Sequence, residues 1–298
     1  MTDFSKGAAF IDGSLVPVSE AKISILDWGF LHSDATYDVV HVWQGKFFRL
    51  DDHLDRFYHG MDKLRLSIPY SREETRQILN DCVAASGLRD AYVEMIATRG
   101  LPEPGSRDPR TCTNRFFAFA IPFVWITQPK QGLDLIVSSK QRIPAESVDP
   151  VIKNYHWLDL VMGLFEAYDR GGETTAVIDS QGNLKEGPGF NIFAIKDGVL
   201  KTPASGVLQG ITRKTTMELA QSNGYQILQG DLSPEEARNA DELFATSTAG
   251  GIMPITRIDG STVGHGSAGP VTEKLQLAYW ALHDDPQYTS KINYEQDD

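Results

Sequence analysis

Apolar residues recur along this chain in two periods, and the switches between them mark out the elements. Residues 8–12 and 15–18 alternate around the turn Asp12-Gly13-Ser14, which predicts two short strands. Residues 37–49, YDVVHVWQGKFFR, alternate again and turn at Gln44-Gly45, a hairpin signature. The period then changes to that of a helix. Leu54, Phe57, Met61 and Leu64 fall on one face of residues 50–66. A second helix is predicted from Ser71 to Gly87, because Ser71 and Glu74 form a capping box and the glycine follows the last turn. Two longer strands follow, at 91–100 and 115–125, joined by LPEPGSRDPRTCTN, a long loop of the kind that often carries function.

The Pro/Gly/Gln stretch at 127–132, TQPKQG, separates two halves, so the expected domains are 1–127 (smaller) and 128–298 (larger). The second half opens with a strand at 133–139. A helix-like segment carries Trp157, Leu160, Val161, Leu164 and Phe165 on one side, which predicts a buried apolar face. Strand-turn-strand units follow at 175–187 and 190–203, the latter turning at Asp197-Gly198. Helices are predicted from Ile211 to Asn223-Gly224, from the capping box at Ser233 and Glu236, and over 271–283. Between them lie a strand at 241–248 and a loop at 249–254. Mixed rather than strictly alternating strands and helices argue for an α/β (mixed α+β) fold of two layered domains, not one doubly wound sheet.

Composition removes several classes of function. A formal charge of -12 opposes binding to phosphate backbones, so no nucleic-acid partner is expected. No run of about 18 apolar residues occurs, so no membrane span is expected. Cys82 and Cys112 form no CxxC pair, and no secretory signal precedes the first strand, which together predict a cytoplasmic protein. GHGSAG at 264–269 matches a dinucleotide-binding pattern but lies too near the chain end for a βαβ unit to follow, so it reads as a turn. No metal-binding spacing, phosphate-binding Walker loop or nucleophile elbow is present.

Four separated pieces make one chemical constellation. Lys153 follows Val151-Ile152 and is expected at a strand end, where desolvation would favour a nucleophilic amine. Glu186 precedes Gly187 and Gly189, which let another group approach the backbone. Gly210, Ile211 and Thr212 open a helix whose free N–H groups suit an anion. ATSTAGG at 245–251 is a hydroxyl- and amide-rich turn after a strand. Singly, these are a surface lysine, a turn, a helix cap and a loop. Jointly, an amine, a carboxylate and a two-part phosphate cradle describe pyridoxal 5'-phosphate.

These pieces, quoted as EGPGFNIFAIKDGVLKTP, VLQGITRKT and STAGGIMPI with Lys153, resemble the fold-type IV (class IV) pyridoxal-phosphate enzymes. That group includes branched-chain aminotransferases, D-amino acid aminotransferases and aminodeoxychorismate lyases. HSDATYDVVHVWQGKFFRLDDHLDRF extends the likeness to the first half. HSDATYDV, IKNYHWLDLVMGLFEA and STAGGIMPITRIDG look most like the (R)-selective amine transaminases. The resemblance implies a two-domain, D-amino acid aminotransferase-like fold whose larger domain binds the cofactor, and a homodimer with active sites near its interface. It implies that Lys153 forms the Schiff base, that Glu186 holds the pyridine nitrogen, and that Arg56, Ile211, Thr212, Ser247 and Thr248 hold the phosphate. Leu208, Phe190 and Asn191 would complete the cofactor site. His32, Tyr37, Val39, Tyr92, Trp157, Thr248 and Ala249 would line the substrate pockets. Small amines and keto acids would be the partners, and no metal is implied. Val40-His41 stand where the amine transaminases usually carry Pro-Ser, so His41 is expected to reshape a pocket wall. Arg107, in the loop after TRG, is a candidate carboxylate clamp, although the histidine that D-amino acid aminotransferases add there is missing. The expected reaction is amino transfer from an (R)-amine, or a D-amino acid, to a keto acid such as pyruvate. A branched-chain or D-amino acid aminotransferase and a lyase are the alternatives.

Overall fold

The computed structural model describes residues 4–126 and 132–294. They group into two compact units: Met1–Val124 with Ile152–Tyr155 and His283–Asp298, and Trp125–Val151 with His156–Leu282. The expected boundary at 127/128 lies outside the described residues.

Among the described residues, the first unit is built on a seven-stranded antiparallel sheet in the order Thr289–Lys291, Lys46–Phe48, Ala35–Trp43, Ala91–Leu101, Thr113–Pro122, Ala8–Ile11 and Ser14–Pro17. Gln44 and Gly45 both have positive φ (51° and 74°), the backbone that a tight hairpin matched to strand twist requires. Val40, Val42, Val93, Met95 and Ala97 point to a core closed by the helices Leu50–Leu64 and Arg72–Ser86. Leu50, Leu54, Phe57 and Met61 bury one stripe of the first helix. Each such side chain contributes about 1.5–3 kcal/mol relative to exposure. Gly60 lets that helix lie close to the sheet, since a Cβ there would stand 2.6 Å from Thr36 Oγ1. The second helix begins at Ser71 with the expected capping box and ends at Gly87 in the left-handed region.

The second unit holds a mixed sheet in the order Gln226–Gln229, Val199–Thr202, Phe190–Lys196, Glu242–Ser247, Gly251–Ile258, Leu133–Gln141 and Thr174–Ile178, with Glu186–Gly187 and Ser261–Thr262 pairing at its margins. The helices Ile211–Ser222 and Pro270–Ala281 pack together on it, and Leu158–Asp169 packs on Leu133–Gln141 and Thr174–Ile178. The mixed α/β expectation is met.

Three local expectations are corrected. The helix after Lys153 begins at Leu158, with Trp157 as its N-cap, and it buries its small side: Leu160, Gly163 and Ala167. Gly163 sits 3.1 Å from Thr175 Cγ2, counted from an added Cβ, so close approach to the sheet selects small residues there. The larger apolar residues Leu158, Val161, Met162 and Phe165 are exposed instead, so helical periodicity identified the element but not its buried face. The expected loop at 249–254 is only a turn over 248–250, because the strand Gly251–Ile258 pairs back on Glu242–Ser247. Finally, Lys153 does not sit at a strand end: the preceding strand stops at Gln141.

Candidate active site

Lys153 lies in an irregular segment that is tied to a strand edge. Its carbonyl accepts hydrogen bonds from the Tyr37 amide (3.1 Å) and from Thr36 Oγ1 (2.9 Å). The hairpin partner of Ala35–Trp43 reaches only Val42 and Trp43, so the strand's first half is open for this contact. Two backbone-level anchors therefore set where the lysine stem starts. The half-buried Lys153 Nζ stands 4.2 Å from the centre of the Tyr37 ring, a cation–π contact. Tyr37 in turn stacks on Tyr155, with ring centroids 4.3 Å apart and planes within 7°.

Tyr155 donates from its hydroxyl to Glu94 Oε1 at 2.7 Å, and the Tyr92 hydroxyl reaches Glu94 Oε2 at 3.3 Å. Glu94 is 8% exposed. Burial raises its carboxyl above the usual range, against the hydrogen bond from Tyr155, the charge of Lys153 and the hydrogen bond from Tyr92. Burial likewise pushes both tyrosine hydroxyls up, and the neighbouring Glu94 charge adds to it. Sequence reading missed Glu94 and Tyr155. Glu94 sits on a strand whose alternation reads as core, and only the register, Val39 opposite Glu94 and His41 opposite Tyr92, reveals which face they share.

Arg56 is fixed by a fully buried carboxylate. Its Nε and Nη2 donate to Asp38 Oδ2 (2.7 Å) and Oδ1 (2.9 Å), and His53 Nδ1 lies 2.8 Å from Oδ1. Burial alone would raise Asp38, but the Arg56 guanidinium and the hydrogen bonds from His53 and Arg56 hold it well below the usual range. Burial lowers His53, so its ring stays neutral more readily than a solvated one.

In the second unit, Glu186 is buried and its carboxylate is fixed on both oxygens. Oε1 accepts from Arg142 Nε (3.0 Å) and Oε2 from the Leu208 amide (3.0 Å). Arg142 also pairs with Asp159 at 2.8 Å, so one guanidinium orients two carboxylates. Asn191 Nδ2 donates to the Leu208 carbonyl at 2.9 Å, which ties the turn before Ile211–Ser222 to the strand Phe190–Lys196. Gly210 caps that helix with no side-chain bond of its own. A Cβ at Gly210 would come within 2.3 Å of Asn191 Oδ1, so this approach demands glycine. Ile211 and Thr212 are buried in the first turn, where helix N–H groups have no partner within the helix. Phe190 and Ser247 are buried, Thr248 and Ala249 form the half-buried turn, and the Ala249 amide donates to Ser247 Oγ at 3.2 Å. Trp157 is half-buried and stands beside Gly189, 3.7 Å from where a Cβ would be.

The structure thus brings together Lys153, Tyr37 and Tyr92 in one unit, and Glu186, Leu208 and Asn191 in the other. It does not bring in three expected residues. His32 is exposed and stacks edge-on against Trp28. His41 is buried, with Nε2 2.7 Å from His283 Nε2 and its ring stacked near Phe48. Arg107 is exposed, with no hydrogen bond or ion pair among the described residues.

Residues 35–258 match the family described as Amino-transferase class IV. A putative branched-chain-amino-acid aminotransferase of Methanocaldococcus jannaschii is 33% identical over 270 residues, covering 90% of this chain and 93% of that protein. A D-alanine aminotransferase of Listeria monocytogenes is 31% identical, covering 89% and 92%. Among solved structures, the branched-chain amino acid aminotransferase of Thermobaculum terrenum in its PLP (holo) form superposes with a TM-score of 0.87 at 25% identity, covering 96% of this chain and 98% of that one.

Proposed function

The chain belongs to the class IV aminotransferases, which use pyridoxal phosphate, and from that premise we propose that it moves an amino group between an (R)-amine, or a D-amino acid, and a keto acid such as pyruvate, with Lys153 as the amine that holds the cofactor. The observation that carries the amine reading is the sheet face bearing Lys153. Antiparallel register puts Tyr37 with Ile96, Val39 with Glu94, and His41 with Tyr92 on that face. None of these six is an arginine or lysine, and the cation that the next strand adds to this face, Arg115 opposite Thr98, is paired with Asp12. Arg107, on its exposed loop, is the proposed candidate for holding an amino acid's carboxylate.

The donor sets suit the parts of the cofactor. Arg56, oriented by Asp38, and the uncapped amides of Ile211 and Thr212 suit a phosphate. Ser247 and Thr248 add hydroxyls. Glu186, charge-paired with Arg142, suits a protonated ring nitrogen, with Leu208, Phe190 and Asn191 framing it. When bound, pyridoxal phosphate supplies the ring that takes up the electron pair left when the α C–H bond breaks. Lys153 Nζ takes that proton and returns it, and transfer from one side sets the stereochemistry. Tyr37, Val39 and Tyr92, with Trp157, Thr248 and Ala249, are the proposed substrate walls.

A homodimer belongs to the same reading. Ile25 (75% exposed), Leu26 and Phe30 in one unit, and Leu158 (79%), Met162 and Phe165 in the other, leave apolar surface that a second copy would cover. No helix among the described residues is long and apolar enough to cross a membrane. The two free cysteines suit the cytoplasm we propose. The test of substrate is spectroscopic: the holoenzyme is mixed with one donor at a time, and conversion of the cofactor to pyridoxamine phosphate is followed. Conversion by (R)-1-phenylethylamine supports the reading. Conversion only by branched-chain L-amino acids would replace it with the branched-chain activity of the relatives. Light scattering of the eluting protein decides the dimer.

A further inference from the structure

Glu94 is a buried carboxylate beside the amine that the proposed reaction uses, and that reaction gives it no task. It lies on the same sheet face as Tyr37, Val39 and Tyr92. Both of its oxygens are held, Oε1 by Tyr155 and Oε2 by Tyr92. The stack Lys153–Tyr37–Tyr155 fixes the donor of the shorter bond. A buried acid supported this way is costly to the fold unless it serves the site.

Resting on the amine-transfer reading, we infer that Glu94 is a specificity-determining residue: its carboxylate, aimed by Tyr155 and Tyr92, makes this wall accept an uncharged substituent of the donor amine and reject a carboxylate. An anionic group brought against a buried carboxylate meets like-charge repulsion in a place where water screens poorly. A methyl group in the same position brings no charge against Glu94. The wall therefore separates amines from amino acids by charge rather than by size, and the arginine that the sheet adds to this face, Arg115, is already paired with Asp12.

The charge on Glu94 also makes the selection depend on pH. The groups that face it are Lys153 and Tyr155 from Ile152–Tyr155, Tyr92 on its own strand, and Tyr37 from Ala35–Trp43, while the Asp38 charge acts from the other face of the sheet. Its carboxyl is raised by burial, so protonation on acidification begins above the usual carboxylate range. Protonated Glu94 repels no carboxylate.

The experiment uses the holoenzyme and a matched pair of donors, 1-phenylethylamine and phenylglycine, in both enantiomers, which differ by a methyl in place of a carboxylate. The readout is the ratio of kcat/KM for phenylglycine over 1-phenylethylamine. E94Q is expected to raise that ratio about tenfold or more, and the wild-type ratio is expected to rise as pH falls while the E94Q ratio stays flat. A merely structural role for Glu94 would lower both rates together and leave the ratio alone. An unchanged or lowered ratio in E94Q overturns the inference. If E94Q does not fold, the pH dependence of the wild-type ratio decides, and a flat profile overturns it. Failure of the amine reading shows separately, as no turnover of either 1-phenylethylamine enantiomer by the wild type. In that event a rise in amino-acid kcat/KM in E94Q supports the role of Glu94, and no rise overturns it.

Discussion

Replacing Glu186 with glutamine keeps the volume of the side chain and removes its charge. The carboxylate accepts hydrogen bonds from Arg142 Nε and from the Leu208 amide, each at 3.0 Å. An amide has one oxygen and one NH2 group. Either orientation sets the NH2 against a donor, Arg142 in one case and Leu208 in the other. One hydrogen bond of the buried pair is lost in each, and a charged one costs about 1.5–3 kcal/mol. Arg142 keeps Asp159, so its own burial stays compensated and the loss should remain near 2 kcal/mol rather than the ~3–5 kcal/mol of a charge left alone. Turnover should fall further than stability implies, because the charge proposed for the ring nitrogen is gone. A drop on the order of 100-fold in kcat is expected, as for other preorganised electrostatic groups. Asp159→Asn is the control: it disturbs the same arginine and leaves the Glu186 carboxylate intact. Urea unfolding and steady-state rates with 1-phenylethylamine and pyruvate measure both quantities. Comparable kcat in Glu186→Gln and wild type, with the cofactor bound in both, would refute the role given to Glu186.

Asp38→Asn should release Arg56 and weaken binding of pyridoxal phosphate to the apoenzyme by about tenfold or more, read from the dissociation constant, with a stability loss of ~3–5 kcal/mol because the buried pair is broken. Unfolding stability should decline as pH falls below about 6.5, the ordinary histidine value, because His53 is held below it when folded and the unfolded chain takes up the proton first. Asp38, whose folded value is also lowered, adds a second decline further into acid, and His53→Gln should remove only the first. Glu94 has the opposite sign: its folded value is raised, so at neutral pH it destabilises the fold, and E94Q should melt higher there than wild type. Gly60→Ala should cost ~1–3 kcal/mol by overpacking against Thr36 Oγ1, and it should lower kcat too, since that hydroxyl anchors the Lys153 carbonyl.

Much of this architecture is legible in the sequence. The Gln44-Gly45 hairpin, the Ser71 capping box and the strands at 91 and 115 all follow from local rules that the fold obeys. The motifs around Lys153, Glu186 and Gly210 led to the family. The rest depends on register and on which face a neighbour covers. Glu94 reads as one polar residue in an apolar strand until its partner Val39 is known. Asp38 and His53 are fifteen residues apart and meet only because the helix Leu50–Leu64 lies on the strand Ala35–Trp43. Arg142 and Tyr155 serve carboxylates 44 and 61 positions away, which no local pattern announces. The apolar stripe expected on Leu158–Asp169 failed for a related reason. Periodicity says that a face is apolar, and only packing says which face is covered, here the small one against Thr175.

Lys153 is the amine proposed to hold pyridoxal phosphate. Reduction of the holoenzyme with borohydride locks the cofactor onto that amine, and peptide mass mapping then locates it. One pyridoxyl adduct is expected, on Lys153, and it should be lost together with turnover in Lys153→Ala. An adduct on any other lysine, or undiminished turnover in Lys153→Ala, would contradict it.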